Sequence, residues 1–177
     1  MLTWAKKVRS GDPDNYEARA AAYFWENIFL DIANFRRERE GDFPNNLLNY
    51  GYSVLRAITA RSLVGSGLLP TLGIHHHNKY NAYCLADDIM EPYRPFVDSI
   101  VIDIVEKENR EEELTIGYKK KLLSIAVADV EIEGKSSPLM VAMQRTTASL
   151  AKCFSGERRR LSLPTLPRPL SGQRGVE

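Results

Sequence analysis

His75, His76 and His77 form an unbroken run, followed a short way on by Asp87, Asp88 and Glu91. Asp88 and Glu91 are three apart, so on a helix they share a face and can aim at a common centre. A loop just before that helix can bring an imidazole beside them. Mixed imidazole and carboxylate donors without a thiolate suit Mg²⁺ or Mn²⁺, with positions left for water and phosphate oxygens. Glu17, set among Ala18, Ala20, Ala21 and Ala22, is a candidate fourth contributor on a flat surface that a helix or a phosphate backbone could approach. The same residues also read as a histidine-bearing loop and the wet face of a helix, and spacing alone leaves both readings open. No Walker A, Gly-x-Ser-x-Gly, Gly-x-Gly-x-x-Gly or zinc-finger spacing occurs, which removes the common nucleotide, hydrolase and finger classes.

The elements that must position these groups read as mostly α. Asp12-Pro13-Asp14 is a helix start, and Tyr16, Ala20, Tyr23, Phe24, Ile28, Ile32 and Phe35 recur at helical spacing up to Arg37. Gly41 to Pro44 ends that helix. Asn45 or Asn46 caps a second, carrying Leu47, Val54, Leu55 and Ile58 and stopped by Gly65-Ser66-Gly67. The segment from Leu68 to Asn78 reads as a loop. Helical patterning resumes at Tyr80, with Pro92 and Pro95 predicting a kink or two abutting helices. The five glutamates between Glu106 and Glu113 suggest a solvated linker. A short helix over 119–129, a brief strand and turn at Val130 to Gly134, and a last helix opened by Pro138 complete the pattern. Arg158, Arg159 and Arg160 read as the start of a mobile tail, with disorder expected over 164–177 and a compact helical domain over 1–163.

Composition narrows the class. The 177 residues suit one domain, and 44% hydrophobic with 27% charged residues is ordinary for a globular chain. Lys plus Arg number 24 against 23 Asp plus Glu, so the net charge of +1 gives no global pull on nucleic acid. The longest apolar run, Ser99 to Val105, falls far short of the ~20 residues of a membrane span and is broken by Asp103. Two cysteines, Cys84 and Cys153, make no disulfide scaffold.

Three stretches are more specific than any of this: Asn49-Tyr50-Gly51-Tyr52, Gly73-Ile74-His75-His76-His77-Asn78, and Leu85-Ala86-Asp87-Asp88-Ile89-Met90-Glu91-Pro92-Tyr93-Arg94-Pro95. With Asn15 to Tyr23 around Glu17, they resemble in order the helical catalytic lobe of the CRISPR-associated spacer-acquisition integrase, closest to the branch that accompanies type II effector nucleases. The similarity runs from about Leu2 to Leu163. It implies that Glu17, His76 and Glu91 are ligands of Mg²⁺ or Mn²⁺, that Asp88 is a further catalytic position, and that His75 and His77 are bystanders. It also implies a cytoplasmic prokaryotic enzyme that inserts spacer DNA into the repeat array by phosphodiester transesterification. Its expected partners are DNA, a second copy of the chain and the small partner protein of the adaptation complex, with no membrane. Arg19, Arg56, Arg61, Lys79 and Arg94 flank the site as candidate DNA contacts. The family carries an N-terminal β-rich domain before this lobe, whereas Met1 here lies just ahead of the first helix, so the chain is expected to be the lobe alone. The competing expectation is a catalytically idle helical fragment that binds DNA or a partner.

Overall fold

The computed structural model describes residues 7–9, 12–29, 32, 34–108 and 111–166. The mostly α expectation holds. The helices are α1 (Tyr16–Ile28), α2 (Asn45–Gly65), α3 (Cys84–Met90), α4 (Arg94–Lys107), α5 (Ile116–Leu123) and α6 (Leu139–Phe154), with a two-stranded antiparallel hairpin, β1 (Asp129–Ile132) and β2 (Lys135–Pro138), before the last. Among the described residues no helix is long and apolar enough to cross a membrane.

The organising element is α2, whose Leu47, Leu48, Leu55, Thr59 and Leu63 are buried and which packs against α3, α4, α5 and α6. Gly51 permits that closeness: a Cβ there would sit 2.5 Å from Val97 Cγ1 on α4 and 3.3 Å from Leu122 Cδ2 on α5. Buried hydroxyls on α2 are satisfied within the helix, Thr59 donating to the Leu55 carbonyl (2.9 Å) and Ser62 to that of Ile58 (2.9 Å).

The two prolines act as expected. A 3₁₀ turn, Glu91–Tyr93, separates α3 from α4, and each proline occupies an early position of the segment it opens, where its missing N–H costs nothing. Tyr93 is fully buried there, its hydroxyl 2.7 Å from Thr146 Oγ1 on α6.

Four boundaries differ from the sequence reading. The helix expected to run to Arg37 ends at Ile28, because Phe29 turns extended and packs edge-on against Phe35 (4.8 Å), with Asn34 left-handed at φ 57°. Burying that aromatic pair outweighs continuing a solvent-exposed helix. The helix expected from Tyr80 begins at Cys84, after Asn78 and Asn81 side chains accept from the backbone N–H groups two residues on. The helix placed at 119–129 is α5 followed by a 3₁₀ turn, Ser124–Val127. Nor is Arg158 the start of a mobile tail: it pairs with Glu133 at 3.0 Å, Ser162 is buried, and Thr165 donates to the Glu131 carbonyl at 2.8 Å. The disorder expected from 164 is thus corrected for Pro164, which bridges to Ile132, and Thr165; 167–177 lie outside the described residues.

Candidate active site

Asp88, one residue past the centre of α3, is almost enclosed and organises the histidine loop. Its Oδ2 accepts the backbone N–H groups of Ile74 (2.5 Å) and His75 (3.0 Å), and its Oδ1 accepts that of His76 (3.1 Å). The same Oδ1 lies 2.6 Å from His76 Nδ1. Burial alone would raise this carboxyl; the hydrogen bonds from His75, His76 and Ile74 outweigh it and hold Asp88 below the ordinary carboxylate range. An anionic Asp88 can only accept, so the proton on His76 faces it from Nδ1, and in the neutral imidazole the lone pair falls on Nε2. Gly73 lets the loop fold this tightly. A Cβ at that position would stand 2.2 Å from the His76 carbonyl oxygen, 2.8 Å from Cys84 Cβ and 3.1 Å from Asp88 Oδ2.

Glu91 opens the 3₁₀ turn, one helical turn past Asp88, and Arg94 Nη2 holds its Oε1 at 3.1 Å. Burial pushes the Glu91 carboxyl above its usual range; Arg94 and His76 pull it down, and Asp87 and Asp88 push it up again. His76, Asp88 and Glu91 therefore act on one another electrostatically. Asp87, on the neighbouring α3 position, is buried between Arg56 Nε (2.7 Å) and Asn81 Nδ2 (2.7 Å), which ties the loop after the histidines back to α2.

Beside this cluster lies a cleft of about 650 Å³ lined by Arg37, Arg39, Arg56 and Arg94, with Asn49, Tyr52, Asn78 and Tyr80 among its polar walls. Of the five predicted DNA contacts, Arg56 and Arg94 line the cleft while also pairing with Asp87 and Glu91. Lys79 stacks on the exposed Tyr80 ring (4.8 Å) next to it. Arg61 is exposed further along α2, and Arg19 lies over Tyr16 (5.4 Å) on α1; neither lines the cleft.

The predicted ligand set is only partly brought together. Glu17 is exposed in the first turn of α1, a helix without a buried residue, and is absent from the charges that act on Glu91. Among the described residues no three His, Cys, Asp or Glu side chains form a group able to hold one ion. Among the described residues α1 is held at its start by Asp12, whose oxygens accept the Tyr16 and Glu17 N–H groups (2.9 and 2.7 Å), and at its end by Trp25 and Ile28 packed on the core. The remaining donors do fit a hard divalent cation. An imidazole backed by a carboxylate, beside a second carboxylate that burial disfavours as an anion, is an environment that a cation relieves.

The sequence reading gave no site role to Tyr52 and Gly73, which it quoted only within the resembling stretches, or to Arg37, taken as a helix end, and it passed over Asp98. Tyr52 donates to Asp98 Oδ1 at 2.5 Å, and the Arg94 and Arg37 guanidinium groups lie 5.0 and 5.5 Å from its ring centre. A signal existed for one of them: Asp98 stands one turn after Arg94, next to Val97 and between the buried Phe96 and Val101.

A profile of the family described as CRISPR associated protein Cas1 matches residues 14–124. The chain is 37% identical over 167 residues to the CRISPR-associated endonuclease Cas1 of Neisseria meningitidis serogroup C (strain 8013), covering 94% of this chain and 54% of that protein. It is 35% identical over 140 residues to the CRISPR-associated endonuclease Cas1 2 of Pyrobaculum aerophilum, covering 78% and 47%. Among solved structures, a casposase bound to integration product has the same fold, with a TM-score of 0.74 at 24% identity over 90% of this chain and 52% of that one. The chain thus spans about half the length of these relatives.

Proposed function

The chain belongs to the CRISPR-associated Cas1 family, and from that premise we propose that it is the catalytic lobe of a divalent-metal-dependent DNA endonuclease and integrase of CRISPR adaptation. The observation that carries the reading is the four-point grip on Asp88, which fixes His76 Nδ1 and leaves Nε2 available beside Glu91 at the edge of an arginine-lined cleft.

His76, Glu91 and Glu17 would hold Mg²⁺ or Mn²⁺, Glu17 joining when α1 is seated against the cleft. The ion, when bound, polarises a phosphoryl oxygen and offsets charge on the entering and leaving oxygens. The protein's own groups do the rest. Asp88 keeps the imidazole in one tautomer and one orientation. Arg94 holds one carboxylate oxygen of Glu91. Arg37, Arg39, Arg56 and Lys79 offer cations to a phosphate backbone without reading its sequence, while Arg19 and Arg61 extend that surface. In strand transfer a DNA 3′-hydroxyl attacks a phosphodiester: a new P–O bond forms, the old one breaks, and the departing strand leaves with its own 3′-oxygen. With water as nucleophile, the same groups cut DNA. A second copy of the chain and a small adaptation protein would complete the assembly that feeds DNA to the cleft.

The exposed position of Glu17 favours a second reading, in which this chain binds DNA without turning it over. Branched DNA incubated with Mn²⁺ separates the two. The first reading expects metal-dependent cleavage that falls by about 100-fold or more in His76→Ala and Glu17→Ala. Unchanged DNA binding in all three proteins, with no turnover in any, contradicts it and supports the second.

A further inference from the structure

Arg94 is placed between two carboxylates of its own segment, Glu91 three residues before it and Asp98 four residues after. Its Nη2 takes Glu91, while its Nε is buried without a hydrogen-bond partner. A long side chain at a helix start, with 38% of its surface exposed, would otherwise exchange among rotamers. What restrains it is the Tyr52 ring, 5.0 Å from its guanidinium carbon.

The ring carries more than one cation. Arg37 lies 5.5 Å from the same centroid and is itself pinned by Asn49 Oδ1 (2.6 Å) and Asn45 Oδ1 (3.0 Å). Two guanidinium groups on one ring repel each other unless negative charge lies close by. The Tyr52 hydroxyl supplies it indirectly by donating to Asp98, which is only 6% exposed on the inner face of α4. A phenol whose O–H is polarised by a carboxylate has an electron-richer face and holds a cation more firmly. The hydroxyl stays a donor at working pH, since burial and then the Asp98 charge push its ionisation well above the usual range.

We propose that Tyr52 and Asp98 are positioning residues for Glu91: acting through Arg94, they fix one carboxylate oxygen of Glu91 so that the other is presented to a divalent cation. This rests on the reading of Glu91 as a cation ligand. Neither residue touches the reacting atoms, and both sit in the wall of the arginine cleft or directly behind it.

Mn²⁺ binding followed by electron paramagnetic resonance, which needs no turnover, tests the proposal on the whole chain. Tyr52→Leu is expected to weaken Mn²⁺ binding about tenfold, the usual cost of losing an orienting group behind a ligand. Tyr52→Phe, which keeps the ring and loses the O–H, is expected to recover most of that affinity while remaining about threefold weaker than the parent. The Phe variant preserves the packing and so reports even if the Leu variant does not fold. Leu63→Ala, a core deletion away from the cleft, is the control for general loosening and is expected to bind Mn²⁺ as the parent does. Parent-like Mn²⁺ affinity in the Tyr52 variants, with binding lost in Glu91→Ala, overturns the positioning role and leaves the ligand role standing. Parent-like affinity in Glu91→Ala overturns the ligand role, and the positioning role with it.

Discussion

Asp88 shows how much one side chain can organise. Three backbone N–H groups and one imidazole converge on its two oxygens, so the histidine run is held as a folded turn rather than a loose loop. That turn also needs the missing side chain of Gly73, because the nearest atoms are a backbone carbonyl and a helix Cβ, neither of which can rotate away. Gly73→Ala must therefore displace the His76 backbone. The expected result is a loss of cleavage of about tenfold or more, with a stability cost of about 1–3 kcal/mol. Gly65→Ala is the comparison, since a Cβ there meets nothing within 4 Å and cleavage should be unchanged. Equal cleavage by the Gly73 and Gly65 variants would show that the loop's tight turn is irrelevant to the chemistry.

At the scale of elements, α1 differs from the rest of the fold. It buries none of its residues, and its start is held by the two Asp12 oxygens. Asp12→Ala should lower cleavage several-fold by fraying the turn that carries Glu17, a loss of about 1 kcal/mol of local helix stability. The melting temperature of the domain should move by less than about 2 °C, because the core does not depend on that turn. A large drop in melting temperature, or unaltered cleavage, would contradict this separation. The same contrast explains what could be read from the sequence. The stop of α2, the break at Pro92 and Pro95 and the opening of α6 at Pro138 rest on local rules, and each was visible in advance; the expected Asn45 or Asn46 cap was not found, since both lie inside α2 and Pro44 precedes it. The end of α1 was not, since the Phe29–Phe35 contact that terminates it is tertiary. The pinning of Arg158 and Thr165 beside the hairpin was equally hidden, as a charged, proline-containing stretch gives no sign of the strand it will lie along. In the site, the histidine run with Asp88 and Glu91 stood out by type and spacing, His76 was singled out within it by the family resemblance, and Tyr52 stood in one of the resembling stretches with no role assigned to it.

For the whole molecule, the buried Asp98 makes stability depend on pH. Its carboxyl is raised from the ordinary 3.8 to about 6, mainly by burial and further by Glu91, against the pull of Tyr52, Arg94 and Arg37. A carboxyl raised in the folded state favours folding when protonated. Its contribution is complete below pH 3.8 and is lost as pH rises through about 6. The displacement is worth about 3 kcal/mol at full expression. Asp98→Asn keeps an acceptor for Tyr52 and removes the titration, so its melting temperature relative to the parent should be more favourable at pH 7.5 than at pH 4.5. A difference independent of pH would refute the assignment.

The account as a whole depends on one imidazole, His76, meeting a divalent cation beside Glu91. Electron spin-echo envelope modulation of Mn²⁺ bound to the chain reads a nitrogen ligand directly. Nitrogen coupling is expected in the parent, in His75→Ala and in His77→Ala, and should vanish in His76→Ala alone. Coupling that persists in His76→Ala, or that is missing from the parent, would contradict the account.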